Sequence, residues 1–167
     1  MADPIRRVVV GVHGSAGSLR ALRRGVAEAR LREVPVWSVR AWTPPGGEDV
    51  DRRCPCPDLT AYWQEHIQEE LRATWQDALG GLPPDLVARL LAVRGPAGRS
   101  LALLTGPDDL LVLGTGQRTH HFGHGAVTRY CLAHAGCCVL VVPASPLDRH
   151  LPRWGPRYRR MIRELTS

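Results

Sequence analysis

Short apolar runs alternate with amphipathic segments along most of the chain. Each run is bounded by turn residues, and such a run indicates a buried strand. The predicted strands cover five ranges: 8–12 (VVVGV), 36–42 (VWSVRAW), 86–93 (LVARLLAV), 110–114 (LLVLG) and 137–143 (CCVLVVP). The runs are continuously apolar rather than alternating in polarity, which is typical of parallel strands buried on both faces.

Helical periodicity occupies the intervals between these strands. Ser15 or Ser18 can cap a first helix, whose apolar face holds Leu19, Leu22, Val26 and Ala29. A longer helix is predicted from about residue 59 to 79, a short one over 97–105, and a last one after Gly125. The long helix places six residues on its apolar side: Tyr62, Trp63, Ile67, Leu71, Trp75 and Ala78. Residues 43–58, rich in Pro, Gly and Asp, predict a loop.

The resulting order βαβαβαβαβ predicts an α/β fold. We expect an open, doubly wound, five-stranded parallel sheet of order 3-2-1-4-5, with helices on both faces. Residues 1–145 are expected to form this one domain, and residues 146–167 a basic, Arg-rich C-terminal extension. The extension begins where the apolar periodicity stops, so the two parts differ in composition as well as position.

Composition excludes several classes of function. All 22 basic residues are arginine, so Schiff-base chemistry and a Walker-type phosphate lysine are unavailable. No apolar run is long enough to cross a membrane, and the N-terminal segment lacks the features of a signal peptide, which together predict a cytoplasmic protein. The five cysteines are an odd number and indicate reduced thiols rather than a disulfide framework.

Positive charge is concentrated at the C-terminus. The net charge is +6, and the segment from Asp148 onward holds six arginines against two acidic residues. A solvated surface extension with one short helix is the preferred interpretation, because runs of like charge usually lie in water. Contact with an acidic partner is the alternative, and nucleic-acid binding is not favoured.

Two glycine-rich loops follow strands one and four, at residues 12–17 and 114–125. In the predicted strand order these loops open at the point where the order reverses, which is where doubly wound sheets bind ligands. The helix that begins near Gly125 directs its free N–H groups and the positive end of its dipole to the same crevice. The sequence therefore predicts an anion site there.

Two segments of the sequence carry a family resemblance. Residues 6–30 (RRVVVGVHGSAGSLRALRRGVAEAR) and 110–143 (LLVLGTGQRTHHFGHGAVTRYCLAHAGCCVLVVP) resemble the opening and closing segments of the universal stress proteins. The resemblance covers roughly residues 5–143 and agrees in element order and spacing. It implies a small regulatory or ligand-binding module of the stress response.

The resemblance also implies a nucleotide motif, from which this chain departs in four respects. Family members that bind ATP carry an Asp where His13 stands and a second loop glycine where Gln117 stands. Gly114 and Gly125 match the outer glycines, but the loop between them is shorter by two residues, and Ala126 replaces a hydroxyl residue. ATP binding is therefore expected to be absent or weak, because several charge-assisted hydrogen bonds are lost.

The crevice residues predicted to contact a ligand, whether an adenine nucleotide or another small molecule, come from both loops and from the end of strand two. They are Val12, His13, Gly14, Ala41, Gly114, Thr115, Gly116, Arg118, Gly125, Ala126 and Val127.

Four histidines are predicted near the mouth of this crevice: His13, His120, His121 and His124. The preferred interpretation is a polar loop with solvated imidazoles. Because neutral imidazole is a good ligand for zinc, copper or nickel, one alternative is a divalent-metal site. Acid–base catalysis is another, and an enzyme that has reused the crevice could employ the histidines with or without a metal ion. His66 is expected to be a core histidine, and His134 to have a structural role.

Strand five is an edge strand in the predicted order, and it is short and apolar. Such an edge can pair with another chain, so a homodimer through residues 137–143 is predicted. Cys131, Cys137 and Cys138 are expected to be mostly buried apolar residues, while Cys54 and Cys56 fall on the predicted loop. The five tryptophans are expected to pack in the core.

Overall fold

The computed structural model describes residues 4–115, 125–143 and 145. Its strands are β1 (Arg7–Gly11), β2 (Val36–Trp42), β3 (Ala88–Arg94), β4 (Asp109–Gly114) and β5 (Cys138–Val142). Its helices are α1 (Ala16–Arg32), α2 (Glu48–Arg53), α3 (Pro57–Leu79), α4 (Ala97–Leu104) and α5 (Ala126–His134). The predicted strands agree with these bounds to within two residues at each end.

The five strands form one parallel sheet of order β3-β2-β1-β4-β5. In the register of the central strands, Val9 of β1 lies opposite Trp37 of β2 and Leu111 of β4. This confirms the predicted fold class and strand order, including β5 as one edge of the sheet. The order reverses between β1 and β4, so the loops that follow these two strands open side by side.

Each face of the sheet packs against two helices. On one face Val8, Val10 and Val112 pack against α1 and α3, and Trp75 is the largest fully buried side chain there. On the other face Val9, Leu111 and Leu113 pack against Leu101 of α4 and Cys131 of α5. Both faces of β1 and β4 are therefore buried, which explains why their sequences are continuously apolar.

Helix α1 is fixed at both ends by its own sequence. Ser15 is the N-cap, and its Oγ accepts a hydrogen bond from the Ser18 N–H at 3.2 Å. Glu33 ends the helix in the left-handed conformation, with φ of 55°, and Pro35 leads into β2. The basic residues of the last turn, Arg30 and Arg32, lie at the negative end of the helix dipole.

Ser38 and Asp109 are buried polar residues of the sheet, and both have partners. The Trp75 indole donates to Ser38 Oγ at 2.8 Å, and Ser38 Oγ donates to the Arg89 carbonyl at 3.3 Å. At the amino end of β1 the Arg7 guanidinium pairs with Asp109 and stacks 3.9 Å from the centre of the Trp37 ring. Trp37 thus packs against a cation as well as against the apolar core on its face of the sheet.

The segment predicted as a loop, residues 43–58, contains a helix, so that prediction was wrong. Helix α2 buries none of its residues. Instead, Arg94 at the end of β3 donates to Glu48 at 2.7 Å and to Asp51 at 2.6 Å. The helix is thus held by ion pairs with a residue more than forty positions away, a contact that local sequence patterns do not report.

Helix α3 also differs from its prediction on one face. Tyr62, which was predicted on the apolar side of the helix, is 61% exposed. His66 is half-buried, stacks on Tyr62 with ring centroids 6.2 Å apart, and lies 3.9 Å from Glu70, so it is not a core histidine. The 23-residue helix is longer than the sheet it covers, and its first turns extend past the strands.

Within the described residues all five cysteines are free, as predicted. Cys131 is buried, and burial raises the pKa of its thiol to about 11. Cys138 is exposed on the edge strand, which corrects its assignment as buried. No helix in this part of the chain is long and apolar enough to cross a membrane.

Gly25 provides a test of the α1–sheet packing. A Cβ atom at this position would lie 2.3 Å from Cγ2 of Val10, so Gly25→Ala should destabilise the fold by about 1–3 kcal/mol through overpacking. Gly17→Ala in the same helix is the matched control, because its Cβ would meet no atom closer than 3.7 Å. Urea denaturation measures both; equal stabilities for the two variants would contradict this packing.

Candidate functional site

The loops after β1 and β4 meet because the end of β4 touches the first turn of α1. A Cβ atom at Gly114 would lie 2.8 Å from the carbonyl oxygen of Gly17. Real Cβ atoms essentially never approach so closely, and the obstacle is backbone, so any side chain here would force the backbone to shift. The contact brings the 13–15 turn and the start of the 115–125 loop to one crevice at the carboxyl end of the sheet.

The glycine-rich loop after β4 is closed at its base. The Gly125 N–H donates to the Thr115 carbonyl at 2.7 Å, and the Thr115 N–H donates to Val142 of β5 at 3.1 Å. Thr128 of α5 donates its hydroxyl to the Gly114 carbonyl at 2.9 Å. These bonds fix the first turn of α5 beside the end of β4, whatever the intervening residues do.

Two helices begin at this crevice. Helix α1 is capped by Ser15, whereas α5 begins at Gly125 with no side chain of the described residues bonded to its first-turn N–H groups. Free N–H groups at a helix N-terminus attract anions through hydrogen bonding and through the helix dipole. The arrangement can therefore bind a phosphate or carboxylate without lysine.

His13 is tied to the cap of α1. Its Nε2 lies 3.3 Å from Ser15 Oγ. The hydroxyl accepts from the Ser18 N–H and has both a proton and a second lone pair left, so it can donate to an unprotonated Nε2 or accept from a protonated one. His13 is therefore linked by this contact to the residue that caps α1.

Arg40 lies beneath the same turn. A Cβ atom at Gly14 would lie 3.5 Å from its Nη1, and the guanidinium forms an ion pair with Glu70 of α3. His13 is an exposed residue, but the protein atoms around its ring lower the pKa of His13 through desolvation. A hydrogen bond with its own backbone opposes this shift, and the Arg40 charge lowers the pKa further.

The structure brings together most of the predicted site residues that it describes. His13, Gly14, Gly114, Thr115 and Gly125 surround the crevice through the contacts given above. Ala126 and Val127 are exposed in the first turn of α5, and Ala41 is half-buried near the end of β2. Val12 is 5% exposed and belongs to the core, so only its backbone is available to a ligand.

Other predictions fall outside the described residues. These are Gly116, Arg118, His120, His121 and His124, together with the extension 146–167. Among the residues that the structure does describe, no group of three His, Cys, Asp or Glu side chains could hold a metal ion. The proposed partners of His13 in a metal site stay untested.

Sequence reasoning missed Ser15, Arg40 and Glu70 as neighbours of the site. Ser15 was identified only as a helix cap. Arg40 was hidden within an apolar strand, although a charged residue near the end of a buried strand is itself a signal, since such a side chain needs a partner. Glu70 lies thirty residues further along the chain, and no local pattern links the two.

Two surface cavities lie away from the crevice. One, of about 390 Å³, lies at the opposite end of the sheet between Arg30 and Asp85, which are paired at 2.7 Å. The other, of about 440 Å³, lies between α2 and α3 beside Trp42, where Arg94 is already paired with Glu48 and Asp51. Neither presents the converging free donors of the crevice, which is therefore the candidate site.

Comparison with known families agrees with this geometry. The model of the universal stress protein family matches residues 4–143, which is most of the chain. The chain belongs to the universal stress protein family. No curated protein matches it in sequence.

Solved structures of universal stress proteins share the fold. One in complex with cAMP is 25% identical, with a TM-score of 0.61, and the alignment covers 86% of this chain and all of the other. UspA from Lactobacillus plantarum is 18% identical with a TM-score of 0.59, covering 83% and 98% of the two chains. A protein from Archaeoglobus fulgidus in complex with dAMP is 18% identical, with a TM-score of 0.50 over 84% and 98%.

The lowered pKa of His13 predicts a pH effect on stability. The folded state disfavours the imidazolium, so as pH falls below about 6.5 the unfolded chain takes up the proton first and stability declines. Between about pH 7.5 and 5, the urea midpoint of the wild type should therefore fall more than that of His13→Gln. His134→Gln, at an exposed histidine of α5, is the control. Equal pH dependence in wild type and His13→Gln would contradict the assignment.

Proposed function

We propose that this universal stress protein is a small, non-catalytic ligand-binding module that takes an anionic, nucleotide-like molecule in the crevice between the β1 and β4 loops. The observation that carries the proposal is the convergence of the Gly114 contact with the N-termini of α1 and α5. Such a site attracts an anionic group through backbone N–H groups and helix dipoles. Binding would regulate the protein's association with others rather than lead to turnover.

A related solved structure supports a nucleotide-like ligand. The universal stress protein in complex with cAMP is similar to this chain over nearly its whole length. A cyclic monophosphate presents one phosphate group, whereas ATP presents three. Because the loop of this chain is shorter than the family's ATP motif, it offers fewer N–H groups, and a ligand with a single anionic group fits it better.

The departures from the ATP motif act in the same direction. Ala126 lacks the hydroxyl donor that the family places beside the last glycine, and His13 replaces an Asp with a neutral imidazole already bonded to Ser15. Each lost charge-assisted hydrogen bond costs roughly 1.5–3 kcal/mol, so two or three losses weaken binding by orders of magnitude. We therefore expect weak ATP binding at best.

The alternative is an enzyme that uses the histidines, with or without a metal ion. His13 supplies a neutral imidazole at the crevice, which is the form that accepts a proton or binds a metal. Its proposed partners, His120, His121 and His124, lie outside the described residues. The Ser15 hydroxyl is already engaged in capping α1, so we favour the binding module.

Calorimetric titration tests the ligand preference. Wild-type protein should bind Mg–ATP with a dissociation constant of about 0.1 mM or weaker, and cAMP more tightly. His13→Asp combined with Ala126→Ser restores two family groups and should tighten ATP binding by at least about tenfold, equivalent to about 1.4 kcal/mol. His13→Asp combined with Ala133→Ser adds the hydroxyl elsewhere on α5 and should bind ATP less tightly than the first pair.

Three results would contradict this account of the crevice. Micromolar ATP binding by the wild type would show that the remaining glycines and helix dipoles suffice. If no nucleotide gave heat on titration, the proposal of a nucleotide-like ligand would be contradicted. Phosphate release from ATP in the same samples would favour the enzyme.

We also propose that the protein is a homodimer formed through β5. The strand is an edge of the sheet, and its residues from Val139 to Val142 are only half-buried. The Val142 carbonyl accepts from Thr115, so the backbone polar groups of Val142 point toward β4. Successive residues of a strand point these groups to opposite sides, so the N–H of Val141 faces the open edge. An unpaired apolar edge of this kind is stabilised when a second copy pairs with it.

Light scattering at tens of micromolar protein tests this pairing. The wild type should have the mass of a dimer, and Val141→Pro should be monomeric, because proline removes the free edge donor without breaking a bond to β4. Val141→Thr keeps the N–H and should remain dimeric. A monomeric wild type, or a dimeric Val141→Pro, would exclude pairing through this edge.

A further inference from the structure

The outer surface of α3 carries a row of unpaired acidic groups, which we call the α3 ridge. It consists of three acidic residues, Asp58, Glu65 and Glu69, and of Tyr62 between them. Their spacing places all four on one side of the helix. All four are exposed, and the three carboxylates form no ion pair with any residue in the described part of the chain. Glu70, by contrast, is paired with Arg40.

Aromatic surface accompanies these charges. Tyr62 is 61% exposed and stacks on His66, with their ring planes 3° apart. Trp63 lies edge-on to Tyr62, with ring centroids 6.0 Å apart. An exposed aromatic ring flanked by free carboxylates is suited to arginine, whose guanidinium pairs with carboxylates and stacks on aromatic faces.

We propose that the α3 ridge binds the Arg-rich C-terminal segment, residues 146–167, of the same chain. The segment contains six arginines and two acidic residues, whereas α3 contains five acidic residues and one arginine. It also carries apolar side chains among its arginines, at Tyr158, Met161, Ile162 and Leu165. These match the ridge in both chemical respects, opposite charge and exposed apolar surface.

Other helices do not offer the same surface. Helix α1 has five arginines against one glutamate, and α4 and α5 each have one arginine and no acid. In α2 the acidic residues Glu48, Asp49 and Asp51 are already paired with Arg94 or Arg52. Within the described residues, α3 is therefore the one helix with a free acidic surface.

The last strand, β5, ends in a position that allows this contact. Strand β5 ends at the carboxyl edge of the sheet, and α3 begins at that same edge, where Gln64 donates to the Ala92 carbonyl of β3 at 3.1 Å. Three strand spacings, about 15 Å, separate β5 from β2 beneath α3. An extended segment of this length spans up to about 70 Å, so one chain can reach its own ridge.

The contact predicts salt-sensitive protection of the segment from trypsin, which cleaves after arginine. In full-length protein at low ionic strength, Glu65→Gln/Glu69→Gln should be cleaved within residues 149–163 at least about fivefold faster than the wild type, because exposed ion pairs act over a Debye length. Glu33→Gln/Asp77→Asn is the matched control: it neutralises two exposed acids away from the ridge and should be cleaved like the wild type. At about 1 M salt all three proteins should be cleaved alike.

Other outcomes would overturn the proposal. Equal cleavage of wild type and ridge variant at low salt would show that the ridge holds nothing. If the control variant were cleaved as fast as the ridge variant, the change in cleavage rate would be due to net charge and not to the ridge. Protection that falls on dilution, at constant trypsin, would place the segment on a second copy rather than on its own chain. Thermal melting of each variant confirms that the fold is intact before cleavage is compared.

Discussion

The contact between Gly114 and the Gly17 carbonyl is the constraint on which the crevice depends. Adjacent parallel strands bring the ends of β1 and β4 together, but the helix that follows β1 must also clear the end of β4. Glycine at the end of β4 makes that clearance available, since a Cβ atom would lie 2.8 Å from backbone oxygen. The turn at His13, the base of the long loop and the start of α5 all take their positions from this contact.

The electrostatics of the crevice follow from its neighbours. With no lysine in the chain, fixed positive charge near the site comes from arginine, and the charge of Arg40 is paired with Glu70. Desolvation lowers the pKa of His13 and so favours its neutral form, and the Arg40 charge acts in the same direction. The backbone N–H groups at the start of α5 add attraction for an anion, and their small number suits a ligand of modest charge better than a triphosphate.

The sequence predicted the strands and their order because parallel strands buried on both faces are continuously apolar, as in Val8 to Val10 and Leu110 to Leu113. It failed where structure depends on distant partners. Helix α2 is held by ion pairs with Arg94, and Arg40 forms an ion pair with Glu70. Neither ion pair can be predicted from the local sequence pattern, because the partners are far apart in the chain. Tyr62 was misassigned because α3 extends past the sheet, so helical periodicity alone overstated its buried face. In the candidate site, the sequence predicted where the two glycine-rich loops lie, but not the Arg40–Glu70 ion pair beside them.

Amide chemical shifts in isotope-labelled protein titrated with cAMP test the crevice most directly. The account predicts saturable shifts at residues 13–15, 114–115 and 125–127, where the two loops and the start of α5 converge. Shifts confined to the surface between α2 and α3 near Trp42, or the absence of shifts at a saturating concentration, would contradict it.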